Sequence, residues 1–139
     1  MRKGYSFETQ LNRLCTQVQS LGYHAQKNHA DRTNDGKYLC GEPFDYIILT
    51  PNYKCAFDAK ESQSERWSLT TNAKLEQINN LKHCKNAGLD AFFLVYFYPA
   101  RRFVKFDVDF IIACIQNGTK SVTVDIGEKW GWERLLKGA

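Results

Sequence analysis

The chain has 139 residues, a formal net charge of +4 and a hydrophobic fraction of 43%. This length suits one core but not two sizeable ones, so we expect a single domain over residues 1–139. The apolar content excludes a disordered chain, and the modest positive charge permits a nucleic-acid partner without requiring one.

The cysteine pattern indicates a reducing compartment. The five cysteines are scattered, and none forms a Cys-x-x-Cys pair, so a disulfide framework and a zinc site are both disfavoured. No apolar run reaches the length of a membrane span, and the first residues lack the apolar core of a signal peptide. We therefore expect a soluble intracellular protein that has no membrane partner.

A first helix is predicted from Ser6, a suitable N-cap, to Gly22, a suitable stop. Its apolar residues recur at helical spacing and predict one buried stripe, made of Phe7, Leu11, Leu14, Val18 and Leu21. Glu8 lies in the first turn, where the helix dipole alone favours an acidic side chain. Glu8 also flanks the buried stripe, so a role beside a neighbouring site stays open.

A short strand is predicted over residues 23–27, followed by a polar, turn-rich loop over 28–41 that we interpret as flexible and basic. The basic residues of this loop are candidates for contacts with DNA phosphates, together with the last residue of the strand and one residue that precedes the first helix. They are Lys3, Lys27, His29, Arg32 and Lys37. An ordinary solvated surface loop is the alternative.

A β-hairpin is predicted at the centre of the chain, with strands over residues 44–49 and 54–59 and a turn at Pro51-Asn52. If the turn is symmetric, Asp45 falls directly opposite Asp58. Two carboxylates that face each other across a ladder repel and weaken a sheet. The pair therefore indicates either a solvated surface or a bound cation.

Side-chain alternation places Asp58 and Lys60 on one face of the second strand and its apolar residues on the other. A hard cation such as Mg²⁺ takes oxygen ligands and would turn the carboxylate repulsion into a binding site. Lys60 would then steady an attacking water or the charge that develops on a phosphate. Solvent-facing charges on a half-exposed hairpin are the alternative.

Residues 61–71 are predicted to form a polar linker. Ser62, Arg66 and Trp67 within it are candidates for DNA contacts, although Trp67 is equally suited to cover the core. The next helix is predicted to begin after Asn72 and to end at Gly88. Its buried stripe is predicted to contain Leu75, Ile78, Leu81 and Cys84, with Gln77 off the stripe.

The remaining chain predicts a buried strand over residues 91–98, a strand over 103–106 and a short helix that begins at Asp107 or Asp109. Residues 119–139 are predicted to be a C-terminal extension with one strand. The aromatic residues Trp130 and Trp132 in that extension need a partner surface, either the chain's own core or a second subunit. The elements together predict an α/β fold with a mixed central sheet flanked by helices.

Three stretches together resemble the PD-(D/E)xK nuclease pattern. They are Glu8 on the first helix, Asp45 after Pro43-Phe44, and Phe57-Asp-Ala-Lys-Glu-Ser62. The chain resembles the RecU and Hjc group of Holliday junction resolvases in particular. RecU-like members carry Phe-Glu-Ala-Lys-Glu-Thr and then a helix with a glutamine, which Gln77 parallels here. The resemblance covers roughly residues 4–110, and this chain departs from the RecU string at Asp58, where RecU has glutamate.

The resemblance implies a restriction-endonuclease-like core and a Mg²⁺-dependent endodeoxyribonuclease that makes paired nicks in four-way DNA junctions during recombination. Mn²⁺ is expected to substitute for Mg²⁺. The implied catalytic residues are Glu8, Asp45, Asp58, Lys60 and Gln77, and the implied metal ligands are Asp45, Asp58 and Glu8.

The resemblance also implies a cytoplasmic location in a bacterial or phage-infected cell. A homodimer is expected, because a four-way junction has approximate two-fold symmetry and a paired enzyme makes two matched cuts. Two alternatives stay open: a restriction-like or repair nuclease that acts on duplex ends or flaps, and a non-catalytic junction-binding accessory protein.

Overall fold

The structure, a computed structural model, describes residues 5–28 and 46–131. The helices in these ranges are α1 (Tyr5–Ser20), α2 (Leu69–Asn72), α3 (Leu75–Asn86) and α4 (Val108–Gln116). The strands there are β1 (His24–Lys27), β2 (Tyr46–Leu49), β3 (Lys54–Ser62), β4 (Arg66–Ser68), β5 (Asp90–Phe97), β6 (Arg102–Asp107), β7 (Ser121–Thr123) and β8 (Glu128–Trp130). None of the helices described is long and apolar enough to cross a membrane.

The described strands form a six-stranded sheet in the order β1-β2-β3-β5-β6-β8 and a two-stranded sheet of β4 and β7. In the large sheet β3 and β5 are parallel, and all other neighbours are antiparallel. The parallel pair requires a crossover connection, which contains α3. The mixed central sheet predicted from the sequence is confirmed.

Two apolar layers cover the faces of this sheet. One layer joins α1 to the sheet through residues such as Leu11, Phe57 and Phe92. The other layer joins α3 and α4 to the opposite face through residues such as Leu81 and Phe93. Strand β5 supplies both layers and is buried from Ala91 to Phe97, as its unbroken apolar run predicted.

The central hairpin has the predicted register. Its pairs run from Tyr46 opposite Phe57 to Leu49 opposite Lys54, which is symmetric about the turn. The Thr50 hydroxyl helps to close the turn by donating to the Tyr53 carbonyl at 2.8 Å. Strand β3 continues three residues beyond its predicted end, because its pairing with β5 extends to Ser62.

The first helix differs from prediction at its start and in one residue of its buried stripe. Ser6 lies inside α1, which begins at Tyr5, so it is not the cap. Leu21 is 51% exposed and does not belong to the buried stripe, because the helix ends before it. Gly22 has a φ of +91° and ends the helix as predicted, since a glycine adopts this conformation without steric cost.

The segment predicted as a polar linker contains regular structure after β3. It contains β4 and the single turn α2, so Asn72 ends α2 and does not cap α3. The Asn72 side-chain amide instead donates to the Ser68 carbonyl at 2.9 Å. Lys74 holds the N-cap position of α3, and Leu75 is 72% exposed at its first turn, contrary to the prediction that it faces inward.

The predicted C-terminal extension contributes to both sheets through β7 and β8. Trp130 in β8 is 5% exposed and packs against Phe57 and Phe103, so its partner surface is the chain's own core. Gly127 lets the chain pass close to β6, because a Cβ there would overlap Val104 and lie 2.9 Å from the Lys105 carbonyl oxygen. Trp132 lies outside the described residues.

Candidate active site

Strand β3 has two different halves. Residues 55–57 pair with β2 on one side and with β5 on the other. Residues 58–62 pair with β5, which is their one pairing partner among the described residues. This part of β3 is also at the carboxyl end of the parallel pair, the end at which ligands bind in open α/β sheets.

A cleft of about 340 Å³ lies against this part of β3. Its lining comes from α1, β3, β4 and α2, and consists of Phe7, Glu8, Ala59, Lys60, Glu61, Trp67 and Asn72. Two of the predicted catalytic residues, Glu8 and Lys60, therefore line one cleft. The cleft combines carboxylates, an ammonium group and an amide around an open space.

Glu8 reaches the cleft because the residue before it is anchored in the core. Phe7 is 7% exposed and stacks on Tyr96, with 6.5 Å between ring centroids. The carboxylate of Glu8 follows it on the exposed flank of α1. The predicted position of Glu8, beside the buried stripe, is therefore correct.

Glu61 is a cleft residue that sequence reasoning did not select. Its Oε2 atom accepts a 3.0 Å hydrogen bond from the Tyr98 hydroxyl, which positions the carboxylate at the cleft. Strict alternation separates Glu61 from Lys60, and for that reason the two were not grouped. Tertiary packing, which local alternation does not report, brings consecutive residues of β3 to one cleft.

Asp58 is 1% exposed and lies on the β3 face that also carries Lys60. It does not line the described part of the cleft. Asp45, its predicted partner, lies outside the described residues. In the part of the chain that is described, no three His, Cys, Asp or Glu side chains are grouped to hold a metal ion.

Gln77 lies in α3 and does not line the cleft. Its Oε1 atom is buried and has no hydrogen-bond partner among residues 5–28 and 46–131. A buried amide oxygen normally accepts a hydrogen bond, so this position retains capacity for a further donor.

The candidate DNA-binding residues have different outcomes. Ser62 is buried and its hydroxyl donates to the Arg66 carbonyl at 2.6 Å, which makes it a structural residue. Trp67 is 1% exposed between Phe93 and Phe106, so its ring covers the core and is not available to DNA. These two assignments are corrected.

Arg66 remains exposed, and its guanidinium donates to the Ser121 hydroxyl at 2.8 Å. Lys27 is half-buried in β1, with its ammonium nitrogen 5.9 Å from the centre of the Tyr46 ring. Four other candidates lie outside the described residues: Lys3, His29, Arg32 and Lys37. Most of the predicted basic loop, which contains the last three of them, also lies outside.

A second polar cluster occupies the amino end of the parallel pair. The Tyr53 hydroxyl donates to Asp90 at 2.6 Å, and Asp90 also forms an ion pair with Lys105. The Lys105 side chain is 7% exposed, and its ammonium nitrogen lies 4.8 Å from the centre of the Phe92 ring. Each charge in this pair therefore has an internal partner.

Burial has a strong effect on the acids of this second cluster. It raises the pKa of Tyr53, and the neighbouring Cys55 and Asp90 raise it further. Burial, reinforced by the Asp90 carboxylate, raises the pKa of the Cys55 thiol to about 12. Cys55 is therefore an inert core residue, and the other described cysteines, Cys15, Cys84 and Cys114, are likewise free thiols.

Comparison with known proteins gives one family match. The chain matches the family model RecU, described as Recombination protein U, over residues 7–134. Among solved structures it is similar to Hjc, a Holliday junction resolvase from the archaeal hyperthermophile Archaeoglobus fulgidus. The identity is 17%, the match covers 78% of this chain and 75% of that chain, and the TM-score is 0.48. No curated protein matches.

Proposed function

The chain belongs to the Recombination protein U family, and we propose that it is a Holliday junction resolvase that cuts four-way DNA junctions by metal-dependent hydrolysis. The observation that carries the proposal is the shared cleft of Glu8 and Lys60 beside β3. Glu8 and Lys60 are about fifty positions apart in the chain, yet they line the same space at the carboxyl end of β3.

Lys60 is the group that we assign to the chemistry of the scissile phosphate. An ammonium group in a cleft stabilises negative charge that develops on the phosphoryl oxygens, and it also orients the attacking water. Its backbone is fixed by the pairing of β3 with β5, so the charge is preorganised. The carboxylates of Glu8 and Glu61 set the polarity of the same cleft.

We assign the metal ligands to Asp45, Asp58 and Glu8. Asp45 directly precedes Tyr46, which pairs with Phe57, so continuation of the same register would bring Asp45 opposite Asp58. Carboxylate oxygens are the donors that Mg²⁺ prefers, and Mn²⁺ accepts similar ligands. When bound, the ion would supply charge neutralisation and a more acidic water.

Gln77 is assigned a supporting role. The unused hydrogen-bonding capacity of its buried amide supports a contact with a group that the site acquires on binding DNA or metal. Gln77 does not line the cleft itself, so we treat it as a positioning residue.

We also propose a homodimer, because two cuts related by two-fold symmetry need two active sites. Sedimentation of the protein with and without a synthetic junction measures its mass. A monomer in both states would contradict this assignment without affecting the chemistry of a single cut.

The central experiment measures Mg²⁺-dependent nicking of a synthetic four-way junction and of linear duplexes with the same sequences. The unmodified protein is expected to nick the junction in preference to duplex, and Asp58→Asn and Lys60→Ala are expected to abolish nicking. Lys54→Ala is the matched control, because Lys54 is an exposed lysine at the opposite end of the same strand. Normal nicking by Lys60→Ala would remove this mechanism.

The same experiment separates the alternatives. Equal or faster cleavage of duplex ends or flaps would favour a restriction-like or repair nuclease. Tight junction binding without any metal-dependent product would favour a non-catalytic accessory protein.

A further inference from the structure

The turn between β5 and β6 lies at the same end of the sheet as the cleft. Phe97 pairs with both Ser62 and Arg102, and Tyr98 directly follows it. The Tyr98 amide donates to the Ser62 carbonyl at 3.0 Å, and its hydroxyl donates to Glu61. The turn is therefore fixed to the cleft by both a main-chain and a side-chain hydrogen bond.

Arg101 has an unusual backbone conformation at the tip of this turn. Its φ is +52°, which makes it the one non-glycine residue with positive φ among those the structure describes. Glycine or asparagine fits this conformation more readily than arginine, and an outlier of this kind is a reason to examine function. The Arg101 amide donates to the Tyr98 carbonyl at 3.2 Å, so the conformation is part of the turn.

The two adjacent arginines have different surroundings. Arg102 is half-buried in β6 near Asp125, whose pKa is lowered mainly by a hydrogen bond from Thr123 and to a smaller degree by the charge of Arg102. Arg101 is exposed and makes no ion pair within residues 5–28 and 46–131. Its charge is therefore available to a partner from solution.

We propose that Arg101 binds a backbone phosphate of the DNA arm that leaves the cleft, an inference that rests on the proposed nuclease function. Lys60 pairs with Val95, and Tyr98 lies three residues further along the chain, so the turn begins roughly 10 Å beyond Lys60. DNA advances about 3.4 Å per nucleotide along its axis, so this offset corresponds to about three nucleotides.

The chemistry of arginine suits this contact. A guanidinium group presents several donors in a planar fork that matches two phosphate oxygens. The hydrogen bonds of Tyr98 hold the turn before DNA binds, so little ordering is needed on association. A backbone contact positions the duplex and carries no sequence information, as expected for an enzyme that recognises a branched shape.

The test uses Arg101→Gly, which removes the charge while placing at φ +52° a residue that tolerates it. Junction binding is measured with EDTA present across a salt series. One lost phosphate contact should reduce the slope of log affinity against log salt by about 1 and the low-salt affinity by about tenfold. The melting temperature should equal or exceed that of the unmodified protein.

Two further variants keep the test specific. Arg101→Asn removes the charge with a residue that also tolerates positive φ, and it should weaken binding to the same degree. Lys54→Ala removes one exposed positive charge at the other end of β3 and should leave binding unchanged. An equal loss in Lys54→Ala would indicate a general charge effect and overturn the proposal.

A junction with one neutral methylphosphonate locates the contact. When the methylphosphonate is about three nucleotides from the cleavage point, the unmodified protein should bind this junction more weakly than the all-phosphate junction. The Arg101→Gly variant should bind both junctions equally, because it already lacks the contact. Unchanged binding and salt slope in Arg101→Gly would overturn the proposal while leaving junction cleavage intact. Failure of the unmodified protein to bind or nick junctions would instead overturn the proposed function and this inference with it.

Discussion

The two ends of the parallel pair β3–β5 contain similar residue types in opposite arrangements. At the amino end, Lys105, Asp90 and Tyr53 satisfy one another and are largely shielded from water. At the carboxyl end, Lys60 and two carboxylates line an open cleft. The two ends differ in their surroundings: the charged groups face protein partners at the amino end and an open cleft at the carboxyl end. Residue type alone would not distinguish them.

From this difference we expect residues at the amino end to support stability and residues at the carboxyl end to support the proposed chemistry. A buried ion pair stabilises the fold only while both partners remain, because removal of one leaves an uncompensated buried charge. A charge beside a cleft contributes little to folding and remains available to a ligand. Equivalent substitutions at the two ends should therefore have separable effects on folding and cleavage.

The largest expected effect comes from Lys60→Met at the carboxyl end. Junction nicking should fall by about 10³-fold, roughly 4 kcal/mol of lost transition-state stabilisation. The free energy of unfolding should change by less than about 1 kcal/mol, because Lys60 is not buried. Single-turnover nicking and urea denaturation measure the two quantities, and a large loss of stability would contradict the separation.

Lys105→Met is the matched substitution at the amino end. It leaves Asp90 without its ion-pair partner, and the free energy of unfolding should fall by about 3 kcal/mol. Nicking per folded molecule should be unchanged, because Lys105 lies away from the cleft. If cleavage fell as much as it does in Lys60→Met, the two ends would not be independent.

Two tyrosine-to-carboxylate hydrogen bonds provide a smaller matched comparison. Tyr53→Phe should lower the free energy of unfolding by about 1 to 2 kcal/mol, since Tyr53 supports the partly buried Asp90. Tyr98→Phe should cost less than about 0.5 kcal/mol in stability but slow nicking roughly threefold to tenfold by releasing Glu61. Denaturation and kinetics on both variants measure the contrast, and a reversed pattern would contradict it.

The smallest effect concerns pH at the amino end. The Cys55 thiol ionises near pH 9.0 when unfolded but only at about 12 when folded. Between these values the unfolded state loses a proton that the folded state keeps, so stability falls as pH rises. From pH 8 to pH 10 this group should cost about 1 kcal/mol. The Cys55→Ala variant should lose about 1 kcal/mol less of its free energy of unfolding over this pH range than the unmodified protein. An identical pH dependence of stability in both proteins would contradict the prediction.

The local features of the fold could be predicted because they depend on local patterns. The hairpin register followed from the symmetry of its turn, and Gly22 and Gly88 ended their helices at positive φ. The burial of β5 followed from its uninterrupted apolar run. Strand order could not be assigned, because the pairing of β3 with β5 joins residues about thirty-five positions apart without a local signal.

The site was predicted only in part, because local patterns indicate some of its residues and long-range packing places the others. Lys60 was selected from strand alternation and Glu8 from its place beside the buried stripe, the resemblance supported both, and the structure brings both to one cleft. Glu61 and Asn72 were missed as cleft residues, because their places depend on the tertiary packing around β3 and on the unexpected turn α2. Trp67 was ambiguous in the sequence, and its position over Phe93 resolves it as a core residue.

Gly127 has a consequence for how this fold varies among homologues. A side chain at this position would overlap Val104 and Phe106, so the path from β7 to β8 admits hydrogen alone there. We expect natural variants that retain β8 beside β6 to keep this glycine, even where surrounding positions diverge. A homologue with a larger residue there would have to route its last strand differently, which makes position 127 a marker of how a relative completes its sheet.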